Sequence, residues 1–257
     1  FLLANSCCSR GRAAPIVWRR ARVIGMDIKT VGVIGAGQMG SGIAHVMAQA
    51  GYEVRLHDVA PGAVERAIGS IAGNLDRQIA KGRMTEANKA TILSNIHPTP
   101  ELPAIGACDL IIEAATEKEV IKQQIFASLA PHLGKQTILT SNTSSISITR
   151  LAAATDRPER FMGFHFMNPV PIMQLVELIR GIATDQETFD TLATVVERLG
   201  KTSTSAEDFP AFIVNRILMP MINEAVYTLY EGVGTVSSID NSLKLGANHP
   251  MGPLELA

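Results

Sequence analysis

The chain has 257 residues, of which 46% are hydrophobic and 18% are charged, and its formal net charge is −1. This length and composition allow one large buried core or two unequal ones. Because the charge is nearly balanced, we expect neither nucleic acid nor a membrane as a partner, and an anionic ligand needs a local binding site.

Residues 1–25 are rich in arginine and contain no acidic residue, since the first acid is Asp27. This composition is typical of a mitochondrial transit peptide, which would place the protein in the mitochondrial matrix. The alternative is translated upstream sequence with Met26 as the true start, and it implies a cytoplasmic protein. We favour the alternative because Met26 leads directly into the first predicted strand, and we treat residues 1–25 as a disordered leader outside the fold.

A βαβ unit is predicted directly after this leader. Thr30–Ile34 is a short apolar run rich in β-branched residues, which indicates a buried strand. Apolar residues then recur at helical spacing up to Gly51, a glycine at the position where helices commonly end. Residues 52–58 predict a second strand.

Strands and helices continue to alternate up to residue 209. Residues 62–95 predict a helical hairpin that turns near Gly82, and a Thr184–Glu187 capping box is expected to open a helix over 187–199. Further strands are predicted at Asp109–Glu113, Thr137–Ser141, Phe161–Phe164 and Leu175–Ile179, with helices between them. The alternation indicates an α/β fold of the Rossmann type over 26–209, with a doubly wound, mostly parallel sheet.

The pattern changes after Pro210, where no strand is predicted. Residues 212–231 predict one long helix with an apolar stripe, and a short helix follows near Ile239. We therefore expect a second, all-helical domain over 210–257. The stripe consists of Ile213, Ile217, Met221, Ala225 and Leu229.

The first motif with a chemical meaning is Gly35-Ala36-Gly37-Gln38-Met39-Gly40. A lone GxGxxG pattern can mark only a tight turn, but here it closes a strand, opens a helix and precedes Asp58 at the end of the next strand. The three glycines permit the turn, the approach of a pyrophosphate and the packing of helix on strand. Asp58 can bind both ribose hydroxyls and would repel a 2′-phosphate, which favours NAD over NADP.

The second motif places His165 at the end of a predicted strand, with Glu177 after a proline-rich turn. A single histidine is often structural, but the carboxyl end of a strand is where open α/β sheets bind ligands. The turn would bring Glu177 back beside the imidazole. Such a pair suits alcohol oxidation, because the imidazole takes the hydroxyl proton while the carboxylate stabilises the imidazolium.

Four segments together resemble the 3-hydroxyacyl-CoA dehydrogenase family, and in particular the bacterial 3-hydroxybutyryl-CoA dehydrogenases. The resemblance runs from about Lys29 to Ala257. The segments are GAGQMG from Gly35, SNTSS from Ser141, HFMNPVP from His165 and FIVNR from Phe212.

This resemblance implies NAD-dependent oxidation of a (3S)-3-hydroxyacyl-CoA, such as 3-hydroxybutanoyl-CoA, to the 3-oxoacyl-CoA in fatty acid metabolism. It implies His165 as the base and Glu177 as its partner. The remaining implied positions line the substrate site (Ser144, Asn168 and Asn215), lie along the cofactor (Glu117 and Lys122, with Ser144 and Asn168) or meet coenzyme A (Asn74 and Lys81).

Several of these residues also have a structural interpretation. Ser144 could cap the following helix, and Asn215 could serve helix packing. Lys81 lies beside Arg83 near a hairpin turn, and we favour an ordinary solvated surface there. The three cysteines have no disulfide-like spacing, and no Cys/His cluster has metal-ligand spacing, so no metal is predicted.

Two other functions remain open at this point. One is a related NAD-dependent dehydrogenase of a free hydroxy acid or sugar acid, and the other is a non-catalytic structural protein of the kind found among lens crystallins. The intact pair of His165 and Glu177 argues against the second. In the resembling family the helical domain continues past the position of Ala257 and forms the dimer interface, so we expect a homodimer when the protein is complete and poor solubility without that extension.

Overall fold

A computed structural model describes residues 25–257, so the predicted leader lies almost entirely outside the described residues. Eight strands form one sheet: β1 (Thr30–Ile34), β2 (Glu53–His57), β3 (Ile96–Pro98), β4 (Leu110–Glu113), β5 (Ile138–Ser141), β6 (Phe161–Phe166), β7 (Leu175–Arg180) and β8 (Thr202–Glu207). The helices are α1 (Gln38–Gln49), α2 (Ala63–Ala80), α3 (Glu86–Ser94), α4 (Leu102–Ile105), α5 (Glu119–Leu129), α6 (Ile148–Ala153), α7 (Gln186–Arg198), α8 (Val214–Tyr230) and α9 (Val236–Asn241).

The strand order is β3-β2-β1-β4-β5-β6-β7-β8, and every neighbouring pair is parallel except β6 and β7. The chain therefore winds outward from β1 in both directions, which confirms the predicted doubly wound, mostly parallel sheet. In such a sheet ligands bind beyond the carboxyl ends of the strands where the winding reverses, here between β1 and β4.

The sheet is covered by apolar side chains on both faces. One buried cluster packs α1, α2 and α7 against the sheet and includes Val31, Ile43 and Leu192. The other packs α5 and α6 against the opposite face and includes Ile111, Phe126 and Leu151. This two-sided burial explains why the central strands are continuous apolar runs and do not alternate.

Two strands and one cap differ from the sequence analysis. β3 and β8, at the two edges of the sheet, were not predicted. The predicted capping box is wrong in its capping residue: Asp185 caps α7 by accepting a hydrogen bond from the Thr188 N–H at 2.7 Å. The Thr184 hydroxyl instead donates to the Phe161 carbonyl at 2.8 Å, because Thr184 is buried against β6.

The two helices after the sheet confirm the predicted helical C-terminal region. α8 begins two residues later than expected, because Ala211 and Phe212 have φ values of +65° and +54°, outside the helical region. Within the predicted stripe Ala225 is buried, whereas Ile217 is 66% exposed. Across residues 25–257, no helix combines the length and the apolar character needed to span a membrane.

Candidate active site

The glycine-rich turn connects β1 to α1 in a geometry that requires glycine at two positions. Gly35 has φ of +100° and donates its N–H to the His57 carbonyl at 2.8 Å. A Cβ on Gly40 would lie 1.7 Å from the Gly35 carbonyl oxygen, so a side chain there would force α1 away from β1. A Cβ on Gly37 would meet nothing within 4 Å, which leaves open space at the start of α1.

This open space belongs to a cavity of about 570 Å³, which suits a dinucleotide. Its lining includes Gly37, Gln38 and Asp58 on one side and Asn168 on the other. The N-terminus of α1 faces it with free N–H groups and partial positive charge, which favour a pyrophosphate. The residues present therefore fit NAD.

Asp58 is tied to the glycine-rich turn by its own carboxylate. One oxygen accepts the Ala36 N–H at 2.6 Å and the other accepts the Ala60 N–H at 2.8 Å. The sequence analysis missed Arg66, which lines the same cavity from α2 and donates to the Pro61 carbonyl at 3.2 Å. The sequence signal for Arg66 was its position eight residues after Asp58, in the first turn of the predicted helix.

His165 and Glu177 face each other across the antiparallel pair of β6 and β7. Their Nδ1 and Oε2 atoms are 2.8 Å apart, and the residues are 5% and 0% exposed. The second carboxylate oxygen of Glu177 accepts N–H groups of Ile213 at 3.2 Å and Val214 at 2.9 Å. Burial alone would raise the pKa of Glu177, but the hydrogen bonds from His165, Val214 and Ile213 outweigh it and lower the pKa below its ordinary value.

The loop after β5 is held in place by Glu117. One oxygen of that carboxylate accepts the Thr143 hydroxyl at 2.6 Å and the Ser144 N–H at 2.9 Å. The Asn142 amide oxygen accepts the Phe166 N–H at 2.8 Å, which ties the same loop to the strand that carries His165. The sequence analysis assigned no role to Asn142, although it lies within the quoted SNTSS segment.

Lys122 is buried, although the resemblance implies that it lies along the cofactor. It is 1% exposed, and its Nζ lies 2.5 Å from the Oε2 of Glu113, at the end of β4. The Ser141 hydroxyl donates to the same oxygen at 2.7 Å, and Nζ is 3.9 Å from Glu117. The lysine therefore joins β4, α5 and the Glu117-bound loop.

Two family models match the chain. The model for the NAD binding domain of 3-hydroxyacyl-CoA dehydrogenase matches residues 30–209, and the model for its C-terminal domain matches residues 212–257. The chain belongs to the 3-hydroxyacyl-CoA dehydrogenase family. Membership confirms the predicted class of enzyme, an NAD-dependent oxidoreductase, and the resemblance to this family that the four sequence segments indicated.

Individual members of this dehydrogenase family are similar over most of the chain. A 3-hydroxybutyryl-CoA dehydrogenase of Bradyrhizobium diazoefficiens is 61% identical over 230 residues, which are 90% of this chain and 78% of the relative. A probable 3-hydroxybutyryl-CoA dehydrogenase of Bacillus subtilis is 48% identical over 90% of this chain and 81% of the relative. The crystal structure of the (S)-3-hydroxybutyryl-CoA dehydrogenase of Ralstonia eutropha superposes with a TM-score of 0.88, at 47% identity, covering 90% of this chain and 82% of that one.

A second cavity of this dehydrogenase, of about 310 Å³, adjoins the first. Asn74 lines both cavities, and Lys81 lines the second together with Arg77 and Arg83. Arg77, which the sequence analysis did not single out, donates to the Asn74 amide oxygen. Three cations around one concave surface favour a polyanionic ligand more than the ordinary solvated surface that we expected there.

Of the three remaining expected residues, Asn168 lines the first cavity of this dehydrogenase, whereas Ser144 and Asn215 line neither of the two cavities. Asn168 accepts a hydrogen bond from the Gln38 amide at 3.0 Å, so it reaches the glycine-rich turn. Ser144 does not cap α6, because Ser147 does, with its hydroxyl accepting the Arg150 N–H. Asn215 is half-buried in the first turn of α8.

His165 does not line the cavity of about 570 Å³. Its wall is formed instead by Asn168 and the residues that follow it in the loop after β6. Within residues 25–257, no group of three or more His, Cys, Asp or Glu side chains is arranged to hold a metal ion.

Proposed function

We propose that this dehydrogenase oxidises a short-chain (3S)-3-hydroxyacyl-CoA, such as 3-hydroxybutanoyl-CoA, to the 3-oxoacyl-CoA, with His165 as the general base and Glu177 as its partner. The observation that carries the proposal is the buried hydrogen bond between these two residues at the end of β6. The 61% identity to a 3-hydroxybutyryl-CoA dehydrogenase supports the choice of acyl chain.

In this mechanism the two nitrogens of His165 have separate roles. Glu177 accepts a hydrogen bond from Nδ1, which leaves Nε2 to take the proton of the substrate hydroxyl. A bound NAD would supply the acceptor for the hydride that leaves the carbon bearing this hydroxyl. Glu177 is anionic and buried, so it stabilises the imidazolium as the proton arrives. Ser144, Asn168 and Asn215 have polar groups suited to orienting the substrate around this pair.

The coenzyme A part of the substrate fits the second cavity. Its phosphates would meet Lys81, Arg77 and Arg83, while Asn74 lies where the two cavities join. Glu117 would position the loop after β5 beside the cofactor, because it accepts the Ser144 N–H. Lys122 would in turn support Glu117, since its Nζ lies 3.9 Å from that carboxylate.

The organisation we propose is a cofactor-binding domain over 26–209 and a helical domain over 210–257. We propose that the protein forms a homodimer. The largely exposed apolar stripe on α8, in which Ile217 is 66% exposed, supports an interface there.

The test compares NADH consumption with acetoacetyl-CoA and with free acetoacetate. His165→Gln should reduce kcat by roughly 100-fold or more, the usual scale for loss of a general base, with NADH affinity unchanged. His132→Gln, at an exposed histidine, is the matched control. Near-full turnover by His165→Gln contradicts the mechanism. Preference for free acetoacetate would identify a hydroxy-acid dehydrogenase, and NADH binding without turnover of either substrate would identify a non-catalytic relative.

A further inference from the structure

The segment that joins β8 to α8 reverses direction in an unusual backbone conformation. β8 runs parallel to β7 and ends at Glu207, which pairs with Arg180, whereas Glu177 pairs with Thr204. The chain has therefore passed Glu177 when it leaves the sheet, and it must turn back to place the start of α8 beside that residue. It does so through two consecutive left-handed residues, Ala211 and Phe212, with φ of +65° and +54°.

A left-handed conformation is unfavourable for any residue with a Cβ, and two such residues in a row persist only when surrounding contacts hold them. Several of the contacts made by this segment are with the candidate catalytic pair. Phe212 is 3% exposed, and its ring meets the His165 ring edge-on, with centroids 5.7 Å apart and an interplanar angle of 63°. One residue further on, the first N–H groups of α8 point at Glu177.

Glu177 is thus shared between two tasks. Its Oε2 holds the imidazole and its Oε1 holds the N-terminus of α8, a helix of 17 residues. The turn fixes the imidazole on a second side, because the Phe212 ring lies against it. Rotation of His165 about its side-chain bonds would have to displace either the carboxylate or the Phe212 ring.

We propose that Phe212 is a positioning residue for the reaction. The left-handed turn at Ala211 and Phe212 seats the ring against His165 at the same time as it seats α8 against Glu177, and it leaves only Nε2 of the imidazole directed to the substrate. The inference rests on the proposed roles of His165 and Glu177. It predicts that the turn at Ala211 and Phe212 fixes the orientation of the His165 imidazole, in addition to any contact that the start of α8 makes with the substrate.

Packing alone is the competing explanation, because Phe212 also belongs to a buried cluster with Ile34 and Ile146. A variant that merely loosens this cluster would lower stability or the amount of folded protein. A variant that misorients the imidazole lowers kcat of the folded protein and leaves the binding of both substrates intact. The packing explanation therefore predicts less folded protein, and the positioning explanation predicts a lower kcat with unchanged KM values.

The experiment compares Phe212→Leu with Phe209→Leu, the same substitution in the same turn. Phe209 is 64% exposed, and its carbonyl accepts the Phe212 N–H at 3.0 Å. For Phe212→Leu we expect kcat with acetoacetyl-CoA to fall about tenfold or more, because small misplacements of a reacting group have large effects on rate. The KM values for acetoacetyl-CoA and NADH should stay within about twofold. Phe209→Leu should match the parent protein.

The fraction of folded protein is measured as NADH-binding stoichiometry by fluorescence, well below the unfolding temperature. If Phe212→Leu lowers that stoichiometry, Phe212→Met replaces it, because a flexible thioether refills the space without supplying a ring. The inference is overturned if the loss of activity appears in KM, if Phe212→Met also loses activity only through a lower NADH-binding stoichiometry, or if the Phe212 and Phe209 variants have equal kcat values. If His165→Gln is inactive in that case, the proposed function stands without it; if His165→Gln is fully active, both fail.

Discussion

Replacing Lys122 with methionine should lower the free energy of unfolding by about 3–5 kcal/mol, because the change leaves a buried carboxylate without its cation. Lys122 and Glu113 have side chains that are 2% and 0% exposed, with their charged atoms 2.5 Å apart. Glu113 would keep hydrogen bonds from the Ser141 hydroxyl and the Ala115 N–H, at 2.7 and 2.8 Å. These remaining bonds favour the lower end of the range.

The assay is urea unfolding, with the midpoint and the slope fitted separately so that a stability change is distinguished from a change in compactness. Lys118→Met, at an exposed lysine in the same segment, is the matched control and should change little. The double variant Glu113→Gln with Lys122→Met should recover most of the loss, since it removes both charges. If Lys122→Met unfolds like Lys118→Met while NADH affinity falls, the lysine serves the cofactor and the structural reasoning is refuted.

Three other outcomes are expected. Glu177→Gln should lower kcat in the NADH assay, because a neutral amide stabilises the imidazolium less, and an unchanged kcat would count against the pair. The kcat/KM should be higher with NADH than with NADPH, because Asp58 repels a 2′-phosphate. Asp58→Asn should reduce the ratio of the two kcat/KM values, and an unchanged ratio would indicate that Arg66 or another group determines the cofactor preference. Burial lowers the pKa of His45 to about 4 from 6.5, so the unfolded chain binds its proton first as the pH falls. Stability should decrease between about pH 6.5 and 4, by up to about 3 kcal/mol, in urea titrations of the parent but not of His45→Leu.

The central part of the sheet could be predicted because burial imposes a pattern on the sequence. β1, β4 and β6 are buried at every position except Thr30, which is half-buried, and their sequences are mainly apolar. The missed strands lie at the edges, where one side has no partner. β8 has the sequence TSTSAE and only one buried residue, and β3 has three residues, so neither carries a pattern that distinguishes it from a loop.

The candidate site was predictable to the extent that its residues belong to local motifs. The glycine-rich turn, Asp58 and His165 each lie at the end of a predicted strand. The contacts of Glu117 with the Ser144 loop and of Lys122 with Glu113 join residues from separate elements, and the sequence spacing does not determine which polar groups meet. Thr184 was assigned wrongly for the same reason. The local sequence pattern predicted that its side chain caps α7, but in the fold its hydroxyl donates to the Phe161 carbonyl of β6.

The approach of Glu177 to His165 depends on the reversed direction of β7, which with β8 runs opposite to the other strands of the sheet. β6 reaches the ligand-binding edge at its carboxyl end, where His165 is the second-last residue, and β7 begins at that same edge because it runs antiparallel. Glu177, the third residue of β7, is therefore directly opposite His165. Had β7 been parallel to β6, its carboxyl end would lie at that edge, and a long crossover would have to replace the short loop after His165. The proline-rich loop is thus the feature of the sequence that brings a carboxylate from a buried strand to the imidazole, and α8 then closes the other side of that carboxylate.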